Sequence, residues 1–119
     1  MRGIPGMTVF VPCDAEEAKK AVAAAVEIDG PVYLRLSRPN TDAVTDADTP
    51  FIPGKANVIR DGSDAAIFAT GLMVTRAIKA AELLEAEGIS AAVVNFHTIK
   101  PIDKETILAL SLIHISEPT

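Results

Sequence analysis

The sequence has a single cysteine, no long apolar run and no surplus of positive charge, and each shortage excludes a class of protein. Cys13 has no partner for an intramolecular disulfide, so we expect a reducing, cytoplasmic setting. No apolar run approaches the roughly 20 residues of a membrane span, and the N-terminus lacks the basic and apolar segments of a signal peptide. Lys and Arg number 11 against 16 Asp and Glu, so no basic nucleic-acid-binding face is expected.

The composition is that of a globular protein. Of the 119 residues, 49% are hydrophobic, and the formal net charge is -5. A chain this apolar can bury enough surface to offset the entropy lost on folding. Its length fits one modest domain or parts of two.

Two strand-helix-strand units are predicted, one on each side of a linker. In the first, residues 8–11 form a strand, Asp14 and Glu17 have the spacing of a helix capping box, and residues 32–37 form a second strand. The expected buried stripe of this first helix is Ala15, Ala18, Val22, Ala25 and Val26.

The second unit begins with a predicted edge strand over residues 56–60. A buried strand over residues 65–70, a helix over 72–87 and a buried strand over 91–96 follow, and a further helix starts at Lys104. The predicted buried face of the helix over 72–87 includes Ile78, Ala81 and Leu84 or Glu85, widened by Ala77, Ala80 and Leu83. The predicted fold class is therefore α/β, with two incomplete parallel strand-helix-strand units joined by a linker.

The linker covers residues 39–54, where three prolines and several aspartates interrupt the apolar pattern. Asp42, Asp46 and Asp48 could be read as a calcium loop. The glycine and the bidentate glutamate that such a loop requires are missing, so a solvated linker is the preferred interpretation.

Four residues could carry chemistry. Arg38 directly follows the second strand, at the carboxyl end where ligands bind in parallel sheets, and its guanidinium could bind a phosphate or carboxylate. From the residues alone, a surface salt bridge is as good an interpretation. Gly71 could begin a phosphate-binding turn, Cys13 precedes a helix N-terminus and His97 follows a buried strand; for these we prefer a conformational glycine, an ordinary small residue and a packing histidine.

The last ten residues, LSLIHISEPT, resemble the translated adapter of a transposon-type sequencing library. We therefore expect residues 110–119 to be an artefact that interrupts the last helix at about its second turn, and the natural protein to continue beyond residue 109.

Four blocks of sequence carry a family resemblance: MRGIPGMTVFVPCDAEEAKKAV, GPVYLRLSRPN, GKANVIRDGSDAAIFATGLMV and NFHTIKPID. In order and spacing they resemble the carboxy-terminal subunit of split transketolases. By this resemblance residues 1–38 are the end of a pyrimidine-binding domain and residues 55–109 are the first part of the transketolase C-terminal domain.

The resemblance implies transfer of a two-carbon ketol unit between sugar phosphates, with thiamine diphosphate and Mg²⁺ as cofactors of the intact enzyme. It assigns Arg38 to the terminal phosphate of the substrate. It places the family's catalytic glutamate and cofactor ligands outside this sequence, so the chain alone is expected to be inactive and to need an N-terminal transketolase subunit or domain, in a dimer or heterotetramer.

Other functions remain open at this point. Relatives with the same domain order are 1-deoxyxylulose-5-phosphate synthase and the beta subunit of 2-oxo acid dehydrogenases, and the LSRPN block favours transketolase over both. A non-enzymatic nucleotide-binding or regulatory module built on Gly71 is an alternative of another class, and an assembly module is compatible with the first interpretation.

Overall fold

The computed structural model of the chain describes residues 3–37 and 43–115, with side chains described as far as residue 110. Six strands and three helices lie in these residues. In chain order they are β1 (Thr8–Phe10), α1 (Ala15–Glu27), β2 (Val32–Leu34), β3 (Asn57–Arg60), β4 (Ala65–Ala69), α2 (Met73–Ala86), β5 (Ala91–Asn95), β6 (Thr98–Lys100) and α3 (Lys104–Ile115).

The strands form two three-stranded sheets, with orders β2-β1-β6 and β3-β5-β4. β1 pairs with β2 in parallel, and β4 pairs with β5 in parallel, so both predicted strand-helix-strand units are present. The remaining pairs, β3 with β5 and β6 with β1, are antiparallel. The α/β fold class is confirmed, and the sheets are mixed rather than wholly parallel.

β6 is the main element that the sequence did not predict. It follows β5 after two residues and pairs with β1, so the second half of the chain contributes a strand to the first sheet. The link is continued where the Val11 N–H donates to the His97 carbonyl at 2.7 Å. The two units therefore share a continuous hydrogen-bonded junction.

The second sheet is covered on one side by α2. Ala77 and Ala81 of the helix pack against Ala91 and Val93 of β5, so small side chains bring the helix close to the central strand. β5 is buried along its whole length, as predicted. β4 was expected to be covered on both faces, but it is an edge strand whose Phe68 is 40% exposed.

The predicted buried faces of the helices are partly wrong. α1 buries Glu17 and Ala21, whereas Val22 and Val26 are exposed. Glu17 and Ala21, four residues apart, share the inward face of the helix, where Glu17 binds Asn95 on β5, and helical spacing places Val22 and Val26 away from this face. In α2 the central Ala77 and Ala81 are buried as predicted, but Ala80 and Leu83 are exposed.

α3 runs through Ile115 without a break at its second turn, so the predicted interruption is not seen. The residues that follow Ala109 are compatible with a helix, because Pro118 is the first helix-breaking residue after Pro101. None of the helices in the described part of the chain is long and apolar enough to cross a bilayer.

A glycine in the turn before β4 allows a close approach to β5. A Cβ atom on Gly62 would overlap the carbonyl carbon of Ala91 and the backbone nitrogen of Ala92. Main-chain atoms of a buried central strand cannot move aside as a flexible side chain can.

We therefore expect Gly62→Ala to lower the free energy of unfolding by about 1–3 kcal/mol, as overpacking does, in urea titrations. Gly3→Ala is the matched control, since nothing lies within 4 Å of its added Cβ atom. Its effect should stay below about 0.5 kcal/mol. Equal midpoints for the two variants would contradict the proposed close approach.

Candidate functional site

Arg38, the predicted substrate-binding residue, lies outside the described residues, and its role stays a prediction. The residues on either side of this gap are described. On the N-terminal side, the Arg35 N–H donates to the Phe10 carbonyl at 2.9 Å, which holds the end of β2 beside the end of β1. On the C-terminal side, Val44 and Thr45 bind Asp14 at the N-terminus of α1. Both flanks thus lie at the carboxyl ends of β1 and β2.

Asp14 is the hydrogen-bonding centre of this region. Its carboxylate accepts from the N–H groups of Glu17 at 2.8 Å, Val44 at 2.7 Å and Thr45 at 2.5 Å, and from the Thr45 hydroxyl at 2.8 Å. One side chain therefore caps α1 and holds the segment that follows the gap. The predicted N-cap is confirmed, and its second role is a feature that sequence spacing does not reveal.

The pKa of Asp14 lies below its ordinary value because several donors favour the ionised form. Burial acts to raise this pKa, but the N–H groups of Thr45, Glu17 and Val44 and the Thr45 hydroxyl outweigh it. Asp14 is thus a structural anion rather than a proton donor at neutral pH.

Glu17 forms a second buried centre, three residues further along. Its side chain is 1% exposed. Oε1 accepts from the Cys13 N–H at 2.9 Å, and Oε2 accepts from Asn95 Nδ2 at 2.8 Å. In a standard capping box, Glu17 would accept from the N–H of the N-cap residue, Asp14. Here it accepts from the N–H of Cys13, one residue earlier, which is a variant of the predicted capping box.

Burial raises the pKa of Glu17, and the hydrogen bonds from Asn95 and Cys13 only partly oppose it. Burial, reinforced by the negative charges of Glu17 and Asp14, also raises the pKa of the Cys13 thiol above its ordinary value. A thiol that resists ionisation is a poor nucleophile, in agreement with the interpretation of Cys13 as an ordinary small residue.

His97 is fully buried where the chain passes from one sheet to the other. Its ring lies 4.1 Å from the Phe51 ring, centroid to centroid, and Nδ1 is 2.8 Å from the Thr98 hydroxyl. Nε2 has no hydrogen-bond partner in the part of the chain that the structure describes. Burial lowers the pKa of His97 to about 4, an effect that the main chain of nearby Lys55 offsets only in part. These contacts agree with the packing role that we preferred.

Gly71 has a conformational role. Its φ is +60°, and an added Cβ atom would lie 2.9 Å from Val11 Cγ1. The adjacent Thr70 hydroxyl donates to the Phe96 carbonyl at 2.7 Å and is not free for a ligand. The structure gives no support to the phosphate-binding interpretation of this turn.

The linker aspartates that are described form a turn and not a cation site. Asp46 Oδ1 accepts from the N–H groups of Asp48 and Thr49, each at 3.0 Å, and Lys20 donates to the main-chain carbonyls of Asp46 and Thr49. Among residues 3–37 and 43–110, no three His, Cys, Asp or Glu side chains are arranged to hold a metal ion. Asp42 lies outside the described residues.

A cavity of about 200 Å³ lies between β4, the β5–β6 connection and α3. Apolar side chains form most of its lining, namely those of Phe68, Ala69, Phe96, Ile99, Ile102 and Ile107. A sugar phosphate needs charged or hydrogen-bonding partners, so this cavity is not suited to one.

Sequence reasoning missed the contact between Glu17 and Asn95. The capping-box spacing did identify Glu17, but as a local helix signal. Asn95 ends an otherwise apolar strand, and this polar residue in a buried run was the one available sign of a polar partner across the junction.

The buried His97 predicts a specific pH response. A neutral buried ring binds fewer protons than the unfolded chain does, so its contribution to stability is lost as the pH falls from 6.5 through about 4. In a His114→Gln background, which leaves one histidine, we expect the NMR signal of the His97 Cε1 proton to titrate near pH 4. A midpoint near 6.5 would mean that the ring is accessible to water.

The comparisons with known proteins cover almost the whole chain. Residues 1–43 match the family model for the transketolase pyrimidine binding domain, and residues 54–114 match that for the transketolase C-terminal domain. The 6-deoxy-6-sulfo-D-fructose transketolase subunit SqwH of Clostridium sp. (strain MSTE9) is 45% identical over 108 residues, covering 91% of this chain and 34% of that protein.

A synthase and a solved structure are also similar. The 1-deoxy-D-xylulose-5-phosphate synthase of Heliobacterium modesticaldum (strain ATCC 51547 / Ice1) is 43% identical over 91% of this chain and 17% of its own length. A split gene transketolase, solved as an inactive beta4 tetramer, superposes with a TM-score of 0.92 at 44% identity, covering 95% of this chain and 38% of that one.

The chain spans about a third of the length of the transketolase subunit that it matches. Two consecutive transketolase family models match it, with an α/β structure that superposes closely on a split transketolase. The chain therefore belongs to the transketolase family.

Proposed function

We propose that this chain is part of a transketolase subunit that transfers a two-carbon ketol unit between sugar phosphates. The observation that carries the proposal is the combination of a 0.92 TM-score and 44% identity to a split gene transketolase over 95% of the chain. Similarity of this extent includes both matched domains and the junction between them. It supports a transketolase of split type over a single module borrowed by another protein.

We assign Arg38 to the anionic end of the sugar. The position follows the LS pair after β2, and the described flanks lie at the carboxyl ends of parallel strands, where ligands bind in α/β sheets. Two relatives, named for 6-deoxy-6-sulfo-D-fructose and apulose-4-phosphate, act on sugars with a sulfonate or a phosphate. A guanidinium binds either anion through paired hydrogen bonds, and such remote binding orients the reacting carbonyl.

The described residues do not form a site for the cofactor that the family implies. The first turn of α1 carries Glu16 behind the N-cap Asp14, which is held ionised, so a diphosphate there would meet like charge. At the start of α2, Val11 packs against Gly71, and the described part of the chain has no cluster of metal-ligating side chains. Thiamine diphosphate and its divalent cation would therefore be held by other parts of the enzyme.

The proposal requires partners. Because the described residues form no cofactor site, this part of the enzyme would contribute to catalysis only in an assembly that supplies one, and we propose an N-terminal transketolase subunit or domain in this role. The beta4 state of the similar split transketolase is described as inactive, which agrees with this requirement.

A 1-deoxy-D-xylulose-5-phosphate synthase is the second candidate. Its support is the 43% identity to the Heliobacterium modesticaldum synthase over 91% of this chain, close to the 45% of the transketolase subunit. The two activities differ in the donor: a synthase of this kind consumes pyruvate, whereas a transketolase consumes a ketose phosphate.

The decisive assay uses the natural subunit that contains this sequence, with its partner subunit, thiamine diphosphate and Mg²⁺. We expect turnover with a ketose phosphate as donor and an aldose phosphate as acceptor, and none with pyruvate. This chain by itself serves as the control and should show no turnover. Turnover of pyruvate with glyceraldehyde 3-phosphate would instead establish the second candidate.

In the same assembly, Arg38→Ala should raise the KM for phosphorylated sugars by about 10–100-fold, since a charge-assisted hydrogen bond contributes about 1.5–3 kcal/mol. kcat should change less if the contact serves mainly to bind. Arg35→Ala is the matched control, because this exposed arginine lies three residues earlier. An unchanged KM in Arg38→Ala would contradict the assignment.

A further inference from the structure

Glu17 is a buried carboxylate whose described surroundings supply no positive charge. Its two oxygens receive one hydrogen bond each, from the Cys13 N–H and Asn95 Nδ2. The titratable groups that face it are Cys13 and Asp14, and both become negative on ionisation. β5, the strand packed against it, contributes the neutral Asn95. An anion in such a place is disfavoured unless it is fully solvated by donors.

This carboxylate lies at the junction between the two halves of the chain. Glu17 belongs to α1, within the residues matched by the pyrimidine binding domain, and Asn95 ends β5, within those matched by the C-terminal domain. Asn95 Nδ2 is also 3.6 Å from Cys13 Sγ. A change in the charge of Glu17 therefore acts directly on a contact between the halves.

Asn95 can serve either protonation state of Glu17. Its Nδ2 donates to Oε2 at 2.8 Å, while its Oδ1 is buried with no partner among the described residues. A 180° rotation of the amide would bring Oδ1 opposite Oε2, where it could accept the proton of a neutral carboxyl group. The present orientation suits an ionised Glu17, which can only accept, and the rotated one suits a neutral Glu17, which can donate.

We propose that the contact between α1 and β5 is proton-dependent, tight when Glu17 carries a proton and weakened when Glu17 ionises. The buried position, the lack of a facing cation among residues 3–37 and 43–110, the nearby Asp14 and the spare acceptor of Asn95 all favour the neutral acid. The direction of the Glu17 pKa, raised chiefly by burial, agrees.

The sign of the effect follows from proton linkage. Because the pKa of Glu17 is higher in the folded chain, the folded state binds more protons than the unfolded state does. The stabilisation is complete below the ordinary value of 4.5 and is lost as the pH rises through the raised pKa. Asp14 and His97 have lowered pKa values and act in the opposite direction, so the test must cancel their contributions.

The experiment compares the full chain with E17Q by urea unfolding between pH 4 and pH 8. The substituted amide keeps the shape of the side chain and can accept from Cys13 and donate to Asn95 Oδ1. We expect equal folding constants near pH 4 and an advantage for E17Q that grows by about tenfold per pH unit above 4.5, then levels at the raised pKa. E16Q is the matched control: it removes the same charge from the adjacent residue, whose carboxylate pairs with Lys19 near the surface. Its difference from the parent chain should not vary with pH in this way.

A pH-independent difference between E17Q and the parent chain would overturn the proposal. A second measurement needs no variant: the ¹³C shift of the Glu17 carboxyl carbon, followed against pH, should titrate above the ordinary value of 4.5. A Glu17 midpoint at or below the ordinary value of 4.5 would refute the proposal even if E17Q fails to fold.

Discussion

The first turn of α1 depends on the solvation of two buried carboxylates by hydrogen-bond donors. Asp14 receives bonds from three N–H groups and a hydroxyl and remains ionised, whereas Glu17 receives two bonds and lies deeper. Their pKa values therefore move in opposite directions although they are only three residues apart. Asp14 attaches the segment that follows β2, and Glu17 attaches β5. Helix α1, β1 and the second sheet all meet at these two side chains.

The two domains matched by the family models do not correspond to two separate sheets, because one strand crosses from the second to the first. β6 lies within the residues matched by the C-terminal domain, yet it pairs with β1 of the first sheet. The Phe10, Phe51 and His97 rings pack beneath this pairing, with Phe51 between the other two. Because backbone pairing and aromatic packing coincide here, the halves are joined by an apolar contact as well as by the Glu17–Asn95 hydrogen bond.

Similarity to known proteins establishes the family of this chain, whereas the described geometry shows how the region around the candidate site is held together. Membership rests on similarity across the whole chain, but transketolase and synthase relatives are almost equally similar to it. The described geometry explains the framework at the carboxyl ends of β1 and β2 and identifies no cofactor site. The proposed anion-binding role of Arg38 stays a prediction, because the described residues do not include this arginine.

Local patterns in the sequence determined the α/β class, both parallel strand-helix-strand units and the Asp14 cap, because apolar periodicity, glycine stops and capping residues act over a few neighbouring residues. They also identified Arg38 as the candidate substrate-binding residue, through its place after a strand and through the family resemblance. Tertiary structure alone decided that α1 turns Glu17 inward and Val22 outward, that β6 joins the first sheet, and that Asn95 meets Glu17 across 78 residues of sequence. Such long-range choices depend on which partners share the same buried volume, and no local pattern encodes that information.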